Sequence, residues 1–136
     1  MLLFRNCSLL ALFMVCVSCS ERALDSIPKI FCGSWEVGEM LLIDHVTGEE
    51  KTAKAGGSLG IAESSVSLYG AISNIENVRV EGARTIITFV DPDDSILIIH
   101  GTPENKQNFL EMEFHWGSKE IRFTVKGQLP WPVSDN

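Results

Sequence analysis

The feature that most constrains the fold is the stretch FLEMEFHWGSKEIRFTVK at residues 109–126, whose alternating pattern predicts a β-hairpin. The turn is predicted at Gly117-Ser118, because glycine in the first position of a two-residue type II′ turn accepts positive φ without steric strain. Such a turn pairs Trp116 with Lys119, and this pair sets the register of the whole hairpin.

The predicted register divides the hairpin into an apolar face and a polar face, because strand side chains alternate. The apolar face carries Leu110, Met112, Phe114, Ile121, Phe123 and Val125. The polar face carries Glu111, Glu113, His115, Glu120, Arg122 and Thr124. One side of the hairpin is therefore expected to cover a hydrophobic core, while the other faces water.

Other short apolar or β-branched runs predict further strands, and no segment has the pattern of a long amphipathic helix. The longest run is 30–44, which is predicted to bend near Gly38. The remaining predicted strands are 51–54, 58–62, 66–70, 78–81, 85–90 and 95–100. We expect a break at Gly56-Gly57 and a loop or brief helical turn at 71–76.

The two runs at 85–90 and 95–100 are β-branched on both faces. If residues 91–94 form a four-residue loop, Ile87 lies opposite Ile98. Because each face of this pair is apolar, we expect something to cover both sides, or one side to supply an interface.

Successive hairpins of this kind predict an all-β domain with a meander topology. About eight strands close most simply as a small up-and-down antiparallel β-barrel, because closure removes the exposed sheet edges. A β-sandwich is the alternative. The predicted barrel domain spans residues 31–127, between a linker at 20–30 and an extended, proline-containing tail at 128–136.

The first residues have the pattern of an export signal. MLLFRNCSLLALFMVCVSCS carries one basic residue, Arg5, followed by an apolar run at 9–17. This run has the length of a signal-peptide core and is too short to span a membrane, which takes roughly 20 residues. Residues 1–19 are therefore predicted to be a signal peptide, and the protein is expected to be exported.

The sequence CVSC at residues 16–19 resembles the lipobox of bacterial lipoproteins. The resemblance implies that Cys19 is acylated and anchors the protein to a membrane of the bacterial cell envelope, facing the periplasm or the cell surface. The alternative is cleavage by a general signal peptidase near Ser20, which would give a secreted protein.

Cysteine usage is consistent with either route. The chain has four cysteines, and cleavage before Cys19 leaves only Cys19 and Cys32. If Cys19 carries lipid, Cys32 is alone and is expected to act as a small, inert hydrophobic residue. A Cys19–Cys32 disulfide is the alternative in an unlipidated protein.

Gly33-Ser34-Trp35, at the start of the first long strand, resembles the Gly-x-Trp signature of lipocalins and of bacterial lipocalin-like lipoproteins. The resemblance implies a cup-shaped barrel in which Trp35 packs across the closed end. It also implies a basic residue of the last strand lying over that tryptophan, and Arg122 is the candidate.

A barrel of this kind is expected to bind a small apolar ligand without catalysing a reaction. The residues predicted to line the ligand site are Val66, Leu68, Ile87, Phe89, Ile98, Leu110, Met112 and Phe114. The alternative is a protein-interaction module, such as a periplasmic inhibitor or immunity-type protein, that meets its partner through its acidic outer surface or a loop.

Other classes of function have little support in the sequence. The net charge of −7 argues against nucleic-acid binding, which needs clustered basic residues. No Gly-x-Ser-x-Gly motif or other catalytic pattern occurs, so no enzyme activity and no cofactor are predicted. Asp91, Asp93 and Asp94 are interpreted as turn residues rather than calcium ligands.

The histidines do not predict a metal site by their spacing. His45, His100 and His115 lie on different predicted elements, and no HxH or HxxxH pattern is present. A zinc site would require the fold to bring them together. His115 is instead interpreted as the cross-strand partner of Glu120 on the polar face of the hairpin.

Overall fold

The computed structural model describes residues 21–68, 70–90 and 95–129, which form an all-β fold with one 3₁₀ turn at Lys29–Phe31. The strands are β1 (Glu21–Leu24), β2 (Gly33–Asp44), β3 (Glu50–Ile61), β4 (Ser65–Leu68), β5 (Ala71–Glu81), β6 (Arg84–Phe89), β7 (Ile96–Ile99), β8 (Phe109–Trp116) and β9 (Lys119–Leu129).

The strands from β2 to β9 form a closed, eight-stranded antiparallel barrel. Each pairs with the next along the chain, and β9 pairs back onto β2. The predicted up-and-down barrel is therefore confirmed, rather than the sandwich. The short β1 adds to the edge of β5, opposite residues 78–81. In the described part of the chain, no helix is both long enough and apolar enough to cross a membrane.

The hairpin of β8 and β9 has the register that its turn predicts. Trp116 pairs with Lys119, and the pairing continues without a shift to Leu110 opposite Val125. Gly117 has a φ of 60°, which glycine accepts readily. The apolar face of the hairpin points into the barrel, where its buried members include Met112.

The long first strand bends where the sequence predicts. The pairing of β2 with β3 shifts between Val37 and Glu39, and its pairing with β9 shifts between Val37 and Met40. This bulge changes which residues alternate inward, so that Val37 and Met40 both lie in the core although they are three positions apart. A Cβ at Gly38 would lie 2.8 Å from Oγ1 of Thr124, so a side chain there would collide with β9.

Two strands are longer than predicted. β3 continues through Gly56-Gly57, where the sequence predicted a break, because its residues pair with the twelve-residue β2 alongside. β5 begins at Ala71, where the sequence predicted a loop or helical turn, because Ala71 pairs with Leu68 across a tight turn containing Gly70. In both cases ladder hydrogen bonds outweigh weak local strand propensity.

The predicted register of β6 and β7 is wrong by one residue. Ile87 lies opposite Leu97 rather than Ile98. As a result, Leu97 and Ile99 point into the barrel, and Ile98 lies outside the buried core. The sequence did not decide between the two registers, because both faces of these strands are apolar and a shift of one residue exchanges them.

One end of the barrel is covered by the segment that precedes β2. Ile27 and Phe31 are each 1% exposed, and the backbone N–H of Ile27 donates to the carbonyl of Glu63 at 2.8 Å. Residues 21–30, predicted to be a linker, are thus an ordered part of the fold. The predicted signal peptide, Cys19 and residues 130–136 of the predicted tail lie outside the described residues.

We predict that Gly38→Ala destabilises the protein by about 1 kcal/mol, because the new methyl group meets the Thr124 hydroxyl. Thr124→Ala in the same chain should recover most of this loss, which a double-mutant cycle by urea unfolding will measure. Gly56→Ala is the matched control, since a Cβ there meets nothing within 4 Å. Equal losses at Gly38 and Gly56 would contradict the prediction.

Candidate functional site

An apolar pocket of about 190 Å³ lies inside the barrel, toward the end at which β8 turns into β9. It is lined by Leu59, Val66, Leu68, Ala71, Ser73, Leu97, Phe114, Ile121 and Phe123. The opposite end is the one covered by Phe31, which lies close to Gly101 and to Leu110 at the other end of β8. The barrel therefore has one covered end and one end with internal space.

A wider opening of about 440 Å³ shares the side chains of Phe114 and Ile121 with this pocket. Its rim includes Leu42, which is 37% exposed, and Trp116, which is 54% exposed. The wider opening also carries charged side chains, including Asp44, Lys51 and Lys119, so an apolar interior leads to an opening of mixed polarity. We refer to the two spaces as the inner pocket and the mouth.

The structure divides the eight predicted ligand-site residues into three groups. Val66, Leu68 and Phe114 line the inner pocket. The residues packed into the core, each no more than 2% exposed, are Ile87, Phe89, Leu110 and Met112. Ile98 lies away from the interior, because the register of β7 differs from the predicted one.

Several residues of the inner pocket were not predicted. Ile121 and Phe123 were already visible on the apolar face of the hairpin, so their alternation was sufficient to find them. Leu97 was missed because of the register error. Ala71 and Ser73 lie on a strand that was predicted to be a loop or helical turn, and small residues of this kind carry little hydrophobic signal.

The structure does not bring Trp35 and Arg122 together. Trp35 is 4% exposed, and its Nε1 donates to the carbonyl of Phe31 at 2.9 Å. Arg122 lies on the outer face, where it pairs in register with Leu41 and its guanidinium donates to Glu120. The segment that covers Trp35 is therefore the one around Phe31, and the closing role predicted for Arg122 is not seen.

The outer face of the barrel carries a row of histidines and glutamates that brings together all three histidines of the chain. We call this set the His–Glu row, and its members are His45, His100, Glu113, His115 and Glu120. The predicted pairing of His115 with Glu120 across β8 and β9 is confirmed. The positions of His45 and His100 beside that pair were not predicted.

Glu113 lies between two of the histidines. Nε2 of His115 donates to one oxygen of Glu113 at 3.0 Å, and Nε2 of His100 donates to the other. The opposite ring nitrogen of His115, Nδ1, lies 3.9 Å from Oε1 of Glu120. His115 is therefore placed between two carboxylates that come from neighbouring strands.

Glu120 is almost fully buried although it points away from the core. It is 3% exposed, and its Oε1 accepts from Nε2 of His45 at 2.8 Å. The backbone N–H of His45 donates to the carbonyl of Ser118 at 2.8 Å, which fixes the turn after β2 against the β8–β9 hairpin. The other oxygen of Glu120 accepts from Arg122.

The hydrogen bonds of this row shift the pKa of both carboxyl groups. Burial alone would raise the pKa of Glu120, but the hydrogen bonds from Arg122 and His45 outweigh burial and hold the pKa below its usual range. The same balance applies to Glu113. Burial would raise its pKa, but hydrogen bonds from His100 and His115 outweigh burial and lower the pKa. Both side chains are thus held as carboxylates at neutral pH.

Cys32 has the properties of an unreactive thiol. It is half-buried and forms no disulfide among the described residues. Burial raises the pKa of its thiol, nearby Glu63 raises that pKa further, and Lys29 opposes them. The thiolate is therefore disfavoured at neutral pH. The alternative disulfide to Cys19, like the aspartates at 91, 93 and 94, lies outside the described residues.

Comparisons of this chain with protein-family models, with curated proteins and with solved structures gave no match. Function is therefore inferred from its own residues and their geometry.

We predict that Glu120→Gln lowers stability by about 1–3 kcal/mol at neutral pH, because His45 and Arg122 lose a charged acceptor. A carboxyl group whose folded-state pKa is lowered contributes stability above its unfolded pKa, about 4.3, and loses it as pH falls through the folded value. The wild-type protein should therefore lose stability on acidification more steeply than Glu120→Gln.

Chemical unfolding between pH 7 and pH 3 measures this difference in slope. The matched control is Glu111→Gln, which removes an exposed carboxylate from the same face of β8. The control should keep the wild-type slope, and a wild-type slope in Glu120→Gln would contradict the prediction.

Proposed function

We propose that this protein is an exported, lipid-anchored β-barrel that binds a small apolar molecule and catalyses no reaction. The observation that carries the proposal is the inner pocket, a space of about 190 Å³ whose lining is almost entirely apolar. Its position beneath the mouth gives a ligand a route of entry past Phe114 and Ile121.

The size of the inner pocket suggests the size of the ligand. Apolar cavities of about 150 Å³ in other proteins hold a single aromatic ring. The inner pocket therefore suits one ring or a short branched alkyl group. Ligand sites are commonly about 300 Å³ or larger, so a bigger molecule would extend from the inner pocket into the mouth, which adds about 440 Å³.

We further propose that the chain is a lipocalin-like lipoprotein. The barrel has the strand number and consecutive strand order that the Gly33-Ser34-Trp35 resemblance implies. Trp35 is buried beside the covered end, where its indole donates to Phe31. The proposed anchor is an acyl group on Cys19, on the strength of the lipobox-like sequence at residues 16–19.

A protein-interaction module is the second candidate function. The observation that favours it is the exposed apolar rim of the mouth, where Trp116 is 54% exposed and Leu42 is 37% exposed. Large aromatic residues of this kind often anchor protein partners. In this case, Trp116→Ala would abolish capture of the partner while leaving the uptake of small molecules into the inner pocket unchanged.

We predict that the protein binds toluene, used as a ring-sized probe, with a dissociation constant of about 0.1–1 mM, or about −5.5 to −4 kcal/mol. Ser73→Phe should abolish this binding, because residue 73 lines the inner pocket and a phenyl ring there would fill it. Isothermal titration calorimetry on the full chain measures the affinity. Native mass spectrometry of protein purified from its source would identify the natural ligand.

Ser67→Phe is the matched control for this experiment. Residue 67 is the neighbour of Val66 on β4 and lies opposite the exposed Ile72, so the new ring points outward. Toluene binding should be retained in Ser67→Phe. If the wild-type protein binds no ring-sized probe, or if Ser73→Phe binds it as well as the wild type does, binding in the inner pocket is rejected.

We predict that Cys19→Ala moves the protein from the membrane fraction to the soluble fraction and removes the mass of the acyl group. Acyl chains contribute about 0.8 kcal/mol of membrane affinity per buried CH₂, so their loss should be decisive. Cys7→Ala, outside the lipobox-like sequence, is the control and should leave fractionation unchanged. Unaltered membrane association of Cys19→Ala would refute lipidation at this residue.

A further inference from the structure

We propose that Glu113, His115 and Glu120 bind a divalent transition-metal ion on the outer face of the barrel, with His45 and His100 positioning the two carboxylates. One ligand atom from each of the three residues lies within 4.8 Å of the others. This set is separate from the inner pocket, because it belongs to the side chains of β8 and β9 that alternate away from the core.

The distances within the His–Glu row are close to those of a metal site. A tetrahedral zinc ion with bonds of about 2.0–2.1 Å separates its ligand atoms by roughly 3.3 Å. One ligand atom each from Glu113, His115 and Glu120 lies within 4.8 Å of the other two, and Nε2 of His115 is 3.0 Å from Glu113. Small side-chain rotations would therefore bring one nitrogen of His115 and both carboxylates onto a common ion.

Charge also favours a cation at this position. Glu113 and Glu120 place two carboxylates within 4.8 Å of each other, and Glu120 is only 3% exposed. Like charges at this separation repel strongly when they are shielded from water. A divalent ion neutralises both, whereas Arg122, which donates to Glu120 and lies opposite Glu113 on β8, supplies a single positive charge.

The donor types narrow the choice of ion. Calcium and magnesium prefer sites made entirely of oxygen ligands, while imidazole nitrogen favours zinc, copper, nickel and iron. One imidazole with two carboxylates combines the nitrogen and oxygen donors that such ions accept. We therefore assign the site to this class and take Zn²⁺ as its probe.

The strand pairing of β8 and β9 places the three ligand residues next to one another. His115 and Glu120 are directly paired across β8 and β9, and Glu113 is two residues before His115 on the same face of β8. His100 and His45 then donate to Glu113 and Glu120 respectively. Partners that orient metal-binding carboxylates in this way typically change metal affinity 10- to 100-fold.

The site is accessible to an ion from solution. The side chains of His115 and His100 are 33% and 37% exposed. Of the three proposed ligands, Glu113 also lines a groove of about 720 Å³, beside His100 and Arg122. With three protein ligands, a coordination position remains for water.

The test is titration of the full chain, expressed without a polyhistidine tag, with Zn²⁺ at pH 7.5 in competition with a chromophoric chelator. We expect one bound ion with a dissociation constant of about 1 µM. His115→Gln and Glu120→Gln should each weaken binding by about 30-fold or more. His45→Ala and His100→Ala should weaken it by about 10-fold, as expected for positioning residues.

Three control variants distinguish this site from zinc binding elsewhere on the chain. Glu76→Gln removes an exposed carboxylate of β5, away from the residues that line this groove, and should change the affinity by less than about twofold. Cys32→Ser excludes binding through the thiol and should have no effect. Arg122→Gln removes the cation that competes for Glu120 and should tighten binding by about 3- to 10-fold, a gain that a purely structural role of Arg122 would not produce.

Cobalt provides a second readout that does not depend on the chelator. Co²⁺ bound in a tetrahedral nitrogen and oxygen site should give visible absorption bands that His115→Gln abolishes, while thermal melting verifies that the variant is folded. Absence of stoichiometric Zn²⁺ binding would overturn the proposal. So would wild-type affinity in folded His115→Gln, or loss of binding in Cys32→Ser.

Discussion

The pairing of β9 with β2 is the constraint on which the rest of the structure depends. It closes the sheet, and it thereby decides which side of every strand becomes interior and which becomes surface. Near Gly38 the pairing includes a bulge that lets Val37 and Met40 both face inward, opposite the regularly alternating Phe123 and Val125 of β9. Among the described residues, the end of the barrel near Phe31 is covered and the internal space lies toward the other end.

The sequence predicted those parts of the fold in which neighbouring residues alone determine the strand pairing. The β8–β9 register follows from a two-residue glycine turn and from strands with a single apolar face, so every predicted pair is present. The register of β6 and β7 had no such signal, because both faces are apolar, and Ile98 was placed on the wrong side. β3 and β5 were underestimated because their strand character comes from neighbours rather than from their own residues.

The two candidate sites show the same limit. Alternation within single strands was enough to find Val66, Leu68 and Phe114 of the inner pocket. It could not separate these residues from the ones packed solidly in the core, because pocket and core have the same composition. Part of the His–Glu row could be predicted, because the hairpin turn determines the pairing of His115 with Glu120. His45 reaches it through the pairing of β2 with β9 and the backbone hydrogen bond to Ser118, both of which link segments far apart in sequence.

The short strand β1 has a consequence for the direction in which the barrel opens. It lies along residues 78–81 of β5, next to the turn into β6, and Thr85 of β6 in turn donates to the carbonyl of Gly101 beside the covered end. Position 19 is two residues before β1, a reach of about 7 Å. If Cys19 is acylated as proposed, the covered end of the barrel would face the bilayer and the mouth would face the aqueous compartment. The proposed apolar ligand would then enter from the aqueous side rather than from the anchoring membrane.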